Sequence, residues 1–211
     1  MSGRRRRHGS IMGFALVGFI VARAAPAAAG PHTDFSQEEL RTLPHVCLAH
    51  QFINEELDTP VVPESERKRV ADQFGPVFIH YHHYCWAVLH VRRAEQPGGD
   101  SFSYRVAVDS LNYVILRADP SFALLAEVYF AKGQALERLG EKNGSMIEYR
   151  NAVRTKTGHT PAAAALIDSY LEFRDVKAAR AALEEALKHD PESETLAEKK
   201  AAIAQLEKEQ R

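Results

Sequence analysis

Between residues 125 and 191 one pattern of small, aliphatic and aromatic residues occurs twice, thirty-four positions apart, and this period restricts the fold more than any other feature of the chain. The first copy reads Tyr129, Lys132, Gly133, Leu136, Ser145, Tyr149 and Ala152. The second reads Ala163, Leu166, Ile167, Tyr170, Ala179, Leu183 and Ala186, with Pro191 closing it. Within each copy apolar residues fall three and four apart, the spacing that lines one face of a helix. Each copy therefore predicts two helices closed on each other across a short turn, with Asn143-Gly144 and Arg174-Asp175 as the turn residues. Small residues at Gly133, Ser145, Ala152, Ala179 and Ala186 allow the axes to approach to roughly 8 to 10 Å. A hairpin that cannot bury its whole face needs a stacked neighbour.

This register resembles the tetratricopeptide repeat. The resemblance implies an all-α fold, a short solenoid of helical hairpins with repeats at 125–158 and 159–191. An earlier copy at 76–120 is degenerate. Trp86-x2-Leu89 opens it and Val108, Asn112, Ile115 and Pro120 follow, but about six extra residues sit at Gln96–Ser101 and three more after Pro120. Such insertions are tolerated because loop-closure entropy grows slowly with length. In this family the first helices of successive repeats line a groove for an extended peptide or a partner helix. Carried over by the register, that groove presents Glu127, Phe130, Gln134 and Glu137, then Ala164, Asp168, Leu171 and Glu172. An acidic set with apolar patches implies a partner bearing Lys or Arg beside an aliphatic anchor. The competing reading is a row of ordinary solvated residues.

The N-terminus reads as a signal peptide over residues 1–29. Arg4 to Arg7 form a basic region, Ile11 to Ala22 an apolar run, and Ala27-Ala28-Ala29 a small-residue cleavage site. The run is short of the roughly 20 residues of a membrane span, so no stable span is expected after cleavage. Removal takes away five arginines, lowering Lys+Arg from 27 to 22 against 28 Asp+Glu, and the net charge moves from −1 to −6. An acidic mature chain excludes nucleic acid as the natural partner. Export, to a periplasm in a bacterium, is the expected destination.

Residues 30–75 read as an N-terminal helical extension. Ser36-Gln37-Glu38-Glu39 is a capping box, so a helix starts there and Pro44 splits it. Asp58 to Pro63 form a stiff linker, Glu64 to Phe74 a helix ended by Gly75-Pro76, and Val77 to Arg93 a longer one. Further helices are expected near 102–118, 121–139, 143–155, 161–173 and 175–189, with no strand. The last, 192–211, carries only a narrow stripe of Leu196, Ile203 and Leu206, as a helix covering the end of a solenoid does.

The segment His80-Tyr81-His82-His83-Tyr84-Cys85-Trp86 gathers three of ten histidines, the only tryptophan and one of two cysteines. Together with Leu43-Pro44-x2-Cys47 it resembles the N-terminal part of certain exported bacterial repeat proteins, a likeness that brings no activity with it. Three readings stay open. A Cys47–Cys85 disulfide suits an oxidising compartment and an even cysteine count. Cys47, His50, His82 and Cys85, two pairs spaced i, i+3, suit a zinc tetrahedron. Plain packing is the third, since Phe78, His82, Cys85, Trp86 and Leu89 share helical spacing.

The chain lacks G-x-S-x-G, H-E-x-x-H, a P-loop, a glycine-rich dinucleotide turn, C-x-x-C and C-x-x-C-H. The expectation is a non-enzymatic exported adaptor without a cofactor, its partner a protein or peptide in the repeat groove. A metal-binding protein built on the His80 to Trp86 segment and a self-associating subunit are the alternatives.

Overall fold

The computed structural model describes residues 35–210. The expected signal peptide therefore lies outside the described residues. Within them the chain is all-helical, with eleven α-helices, one 3-10 segment and no strand.

The two copies are helix hairpins. The first pairs α7 (Leu125–Arg138) with α8 (Lys142–Thr155), and the second pairs α9 (Thr160–Glu172) with α10 (Val176–Leu187). The second turn falls at Arg174-Asp175 as expected, and the first lies slightly earlier than expected. Asn143 and Gly144 sit inside the first turn of α8, and the reversal is made by Leu139–Glu141, with Gly140 at φ 77°. There Glu141 N–H donates to Leu136 O at 2.9 Å, closing the helix end by a bond that requires a left-handed residue before it. Thirty-four residues on, Asp175 N–H donates to Tyr170 O at 2.8 Å, and Arg174 occupies the place of Gly140 at φ 57°. The same turn recurs with a side chain where none is favoured.

The hairpins fill the same interior in opposite ways. In the first, Gly133 on α7 receives the ring of Tyr149 on α8, and a Cβ built on that glycine would lie 2.5 Å from the ring. In the second, the equivalent positions hold Ile167 and Leu183, both buried. The first hairpin also carries a polar clasp, Lys132 to Glu148 at 2.6 Å, with both side chains mostly buried. Its counterparts are Leu166 and Ala182. The apolar interior is accordingly divided. One cluster joins the N-terminal helices to α5, α6 and α7, and a second joins α9, α10 and α11.

Ahead of the repeats, α5 (His82–Glu95) and α6 (Ser101–Ile115) form a further hairpin across a loop at 96–100, and Asp100 caps α6 through Ser103 N–H at 3.1 Å. The N-terminal extension comprises α1 (Gln37–Arg41), α2 (His45–Leu48), α3 (Gln51–Glu56) and α4 (Glu64–Phe74). Ser36 and Glu39 form the capping box of α1, and Pro44 breaks the chain as its missing N–H requires. The helix expected over Val77 to Arg93 is two elements, a 3-10 segment at Pro76–His80 and then α5. At the break Phe78 O accepts from Tyr81 N–H at 2.8 Å in a 3-10 turn, and histidines bond to the carbonyls there: His50 Nε2 reaches Phe78 O at 2.9 Å, and His82 Nδ1 reaches Ile79 O at 2.7 Å. Phe78 is thus not on one helix face with His82.

At the other end α11 (Glu194–Glu209) packs on α9 and α10 through buried Leu196 and Ile203, with Leu206 half-buried and Lys199 bonded to Asp168 at 2.7 Å.

Candidate functional site

Cys47 at the end of α2 and Cys85 in α5 form a disulfide, Cα to Cα 5.6 Å, and both are fully buried. The bond ties the N-terminal extension to α5. Two further contacts span the same seam. The Arg93 guanidinium donates to both oxygens of Glu39, at 2.5 and 2.8 Å, and holds that carboxyl down at about 2, well below its usual value. Arg92 donates to Thr42 O at 2.8 Å.

The zinc arrangement does not form with the sulfurs bonded to each other, since a metal takes thiolates. Cys47 and His50 also lie on different helices: α2 ends at Leu48, and His50 is the residue that caps α3, its Nδ1 accepting from Phe52 N–H at 3.2 Å. His50 Nε2 faces the carbonyls of Phe78 and Ile79, so the ring carries its proton there and has no lone pair left over. Burial holds His50 at about 4 and also lowers His82, keeping both neutral. Their rings lie 5.2 Å apart inside an aromatic group in which His82 meets Trp86 and Phe52 edge-on, at 4.6 and 4.9 Å. Among the described residues no group of three or more His, Cys, Asp or Glu is placed to hold a metal ion.

The expected groove residues are distributed unevenly. Gln134 and Glu137 are exposed on α7 and line a cleft of about 600 Å³ between α7 and α5. Its apolar wall comes from Ala87, Val88 and Val91 of α5 with Ala131 of α7, and Tyr84 stands at one side. Phe130 is half-buried, its ring 5.8 Å from Tyr149 and 5.3 Å from His159. Ala164 is 6 % exposed and packed inside, so it is not a surface on which a partner rests. Leu171 is half-buried.

The acids expected to give the groove its charge are mostly matched by this chain's own cations. Glu127 meets Lys156 at 3.2 Å and His159 at 3.6 Å; burial pushes its carboxyl up, and these two partners more than offset that. Asp168 is held by Lys199, and Glu172 by Lys142. Glu137 differs, since its partner is the Tyr149 hydroxyl, from which it accepts at 2.7 Å beside the cleft. Nearby Arg138 is paired with Glu95 at 3.3 Å.

The α5 side of this cleft was missed by the 34-residue register. The two insertions lengthen the offset between Trp86 and Tyr129 to 43. Shifting Glu127, Phe130 and Gln134 back by that amount lands on Tyr84, Ala87 and Val91, all of which line the cleft. The signal was present, but only to a register corrected for both insertions.

Comparison with protein-family models and with curated proteins finds no match.

Proposed function

We propose that this chain is an exported, non-enzymatic scaffold of the tetratricopeptide-repeat kind, which holds a segment of another protein in the cleft between α5 and α7. The observation that carries this reading is the cleft itself, about 600 Å³, walled by the first helices of two successive hairpins at equivalent positions. Its walls are Val88, Val91 and Ala131, with Gln134 offering a donor and an acceptor and Glu137 a carboxylate in a rim that also holds Glu95, Arg92 and Arg138. A helix or extended strand with a small aliphatic anchor and one Lys or Arg answers that chemistry. The acidic residues farther along are engaged within the chain, so charge contributes less than the sequence pattern implied. In this reading α11 covers the far end of the stack with a polar outer face. Export agrees with the buried disulfide, which oxidising compartments favour. No helix among the described residues is long and apolar enough to cross a membrane.

The test is site-specific photo-crosslinking in cells, with the probe at Gln134 and, for comparison, at exposed Lys208 on α11. The expected result is a discrete crosslinked product from position 134 alone, lost when Val91→Arg fills the cleft. Equal products from both positions, or products insensitive to Val91→Arg, would reject the cleft as the binding surface. Fractionation of the same cells tests export, and a protein retained with cytoplasmic markers would reject it.

A further inference from the structure

The cleft between α5 and α7 has a direction. Arg138 pairs with Glu95 at 3.3 Å, which brings the C-terminal ends of the two helices together. At the other end Tyr84 of α5 lies within electrostatic reach of Glu127, in the first turn of α7. The two walls are therefore parallel helices. Their lining residues recur at intervals of three and four, Tyr84, Val88, Val91 and Glu95 on α5 and Ala131, Gln134 and Arg138 on α7. Two such ridges, with Leu111 of α6 as the floor between them, make a groove into which the side chains of a third helix fit at the same period. Small side chains at Ala87 and Ala131 let its backbone come close. From Tyr84 to Glu95 the wall runs about 16 Å, or three helical turns.

Backbone hydrogen bonding decides between a helix and an extended segment. Over that length an extended chain lays down about five residues, and each N–H or C=O turned toward the walls needs a partner there. The middle of the cleft supplies none, because Ala87, Val88, Val91, Leu111 and Ala131 are apolar and only Tyr84 and Gln134 offer uncharged polar side chains. Each backbone group left unpaired carries its full desolvation cost. A helix has satisfied its own backbone, so its apolar face enters without that loss.

Charge sets the orientation. The carbonyl ends of α5 and α7 lie at the same end of the cleft, where their partial negative charges add. The rim side chains at that end balance, Glu95 and Glu137 against Arg92 and Arg138, so the helix ends give the site its sign. The complement is the positively polarised N-terminus of a bound helix. Resting on the reading of this cleft as the binding surface, we infer that its occupant is an amphipathic α-helix of about three turns, antiparallel to α5 and α7, with its N-terminus at the Glu95 and Arg138 end.

The probe is a phage-displayed library of random peptides of about fourteen residues, panned against the full chain and against Gln134→Arg and Val91→Arg. Gln134 is exposed, so its replacement blocks the cleft without touching the core. The peptides recovered by the native chain and lost with either variant are expected to carry apolar residues at i, i+3 or i+4, and i+7. A synthetic copy should gain helical circular dichroism on binding and lose about a hundredfold in affinity when a central residue of its outer face becomes proline. A benzophenone at its N-terminus should crosslink beside Glu95 and Arg138, and one at its C-terminus beside Tyr84. Cleft-dependent peptides with alternating apolar residues, internal proline or no gain of helix overturn the helical assignment and leave the cleft standing. Crosslinks at the opposite ends overturn the orientation. Recovery of no peptide, or only of peptides indifferent to both variants, rejects the cleft itself and the inference with it.

Discussion

Replacing Gly133 by alanine should destabilise the protein, although alanine is the better helix former. The added Cβ would lie 2.5 Å from Cε1 and 2.6 Å from Cδ1 of Tyr149, closer than carbon atoms approach. Tyr149 cannot retreat easily: it is 1 % exposed, and its hydroxyl is anchored to Glu137 at 2.7 Å. Overpacking of this kind costs about 2 to 3 kcal/mol, against a helix-propensity gain of about 1 kcal/mol, for a net loss of about 1 to 2 kcal/mol. The second hairpin shows how the conflict is relieved, since Ile167 and Leu183 occupy the equivalent positions together. In a Tyr149→Leu background the ring is gone, and Gly133→Ala should then stabilise by about 1 kcal/mol. A double-mutant cycle by urea unfolding measures the coupling, expected at about 2 to 3 kcal/mol. Additive effects, or a neutral Gly133→Ala in the native background, would refute the claim that these helices touch through the glycine.

The Cys47–Cys85 bond closes a span of 38 residues, which on the loop-entropy account contributes about 4 kcal/mol, so a reductant should lower the Tm by about 10 °C; an unchanged melt would remove the bond from the stability account. His50 is held at about 4 against an ordinary 6.5 because burial disfavours its charged form. The unfolded chain takes the proton first, so the contribution is whole above pH 6.5 and is lost as pH falls toward 4, about 3 kcal/mol in all. NMR titration of the ring checks it, and a His50 midpoint near 6.5 would contradict the burial argument. Arg174→Gly should raise the Tm by about 2 to 4 °C, since a left-handed residue other than glycine costs about 1 kcal/mol; a lower Tm would show that Arg174 is held there by contacts of its own.

The hairpins were legible in the sequence because what makes them lies within one 34-residue period: apolar spacing for the helices, small residues where they touch, and the turn at Arg174-Asp175, where Asp175 caps α10. Even the misplaced turn had its signal in Gly140, which only a left-handed conformation explains. Contacts between periods were not legible. Lys142 to Glu172, Lys156 to Glu127 and Lys199 to Asp168 join residues about 30 apart, and they decide that an acidic row on paper is largely neutralised in space. The two cysteines could have bonded, held a metal or simply packed, and only the placing of α2 against α5 made them partners. Periodicity records which face of a helix is buried. Which other helix covers that face, at what height and with which side chain opposite, depends on insertions, packing volume and charge partners that come together only when the chain closes on itself.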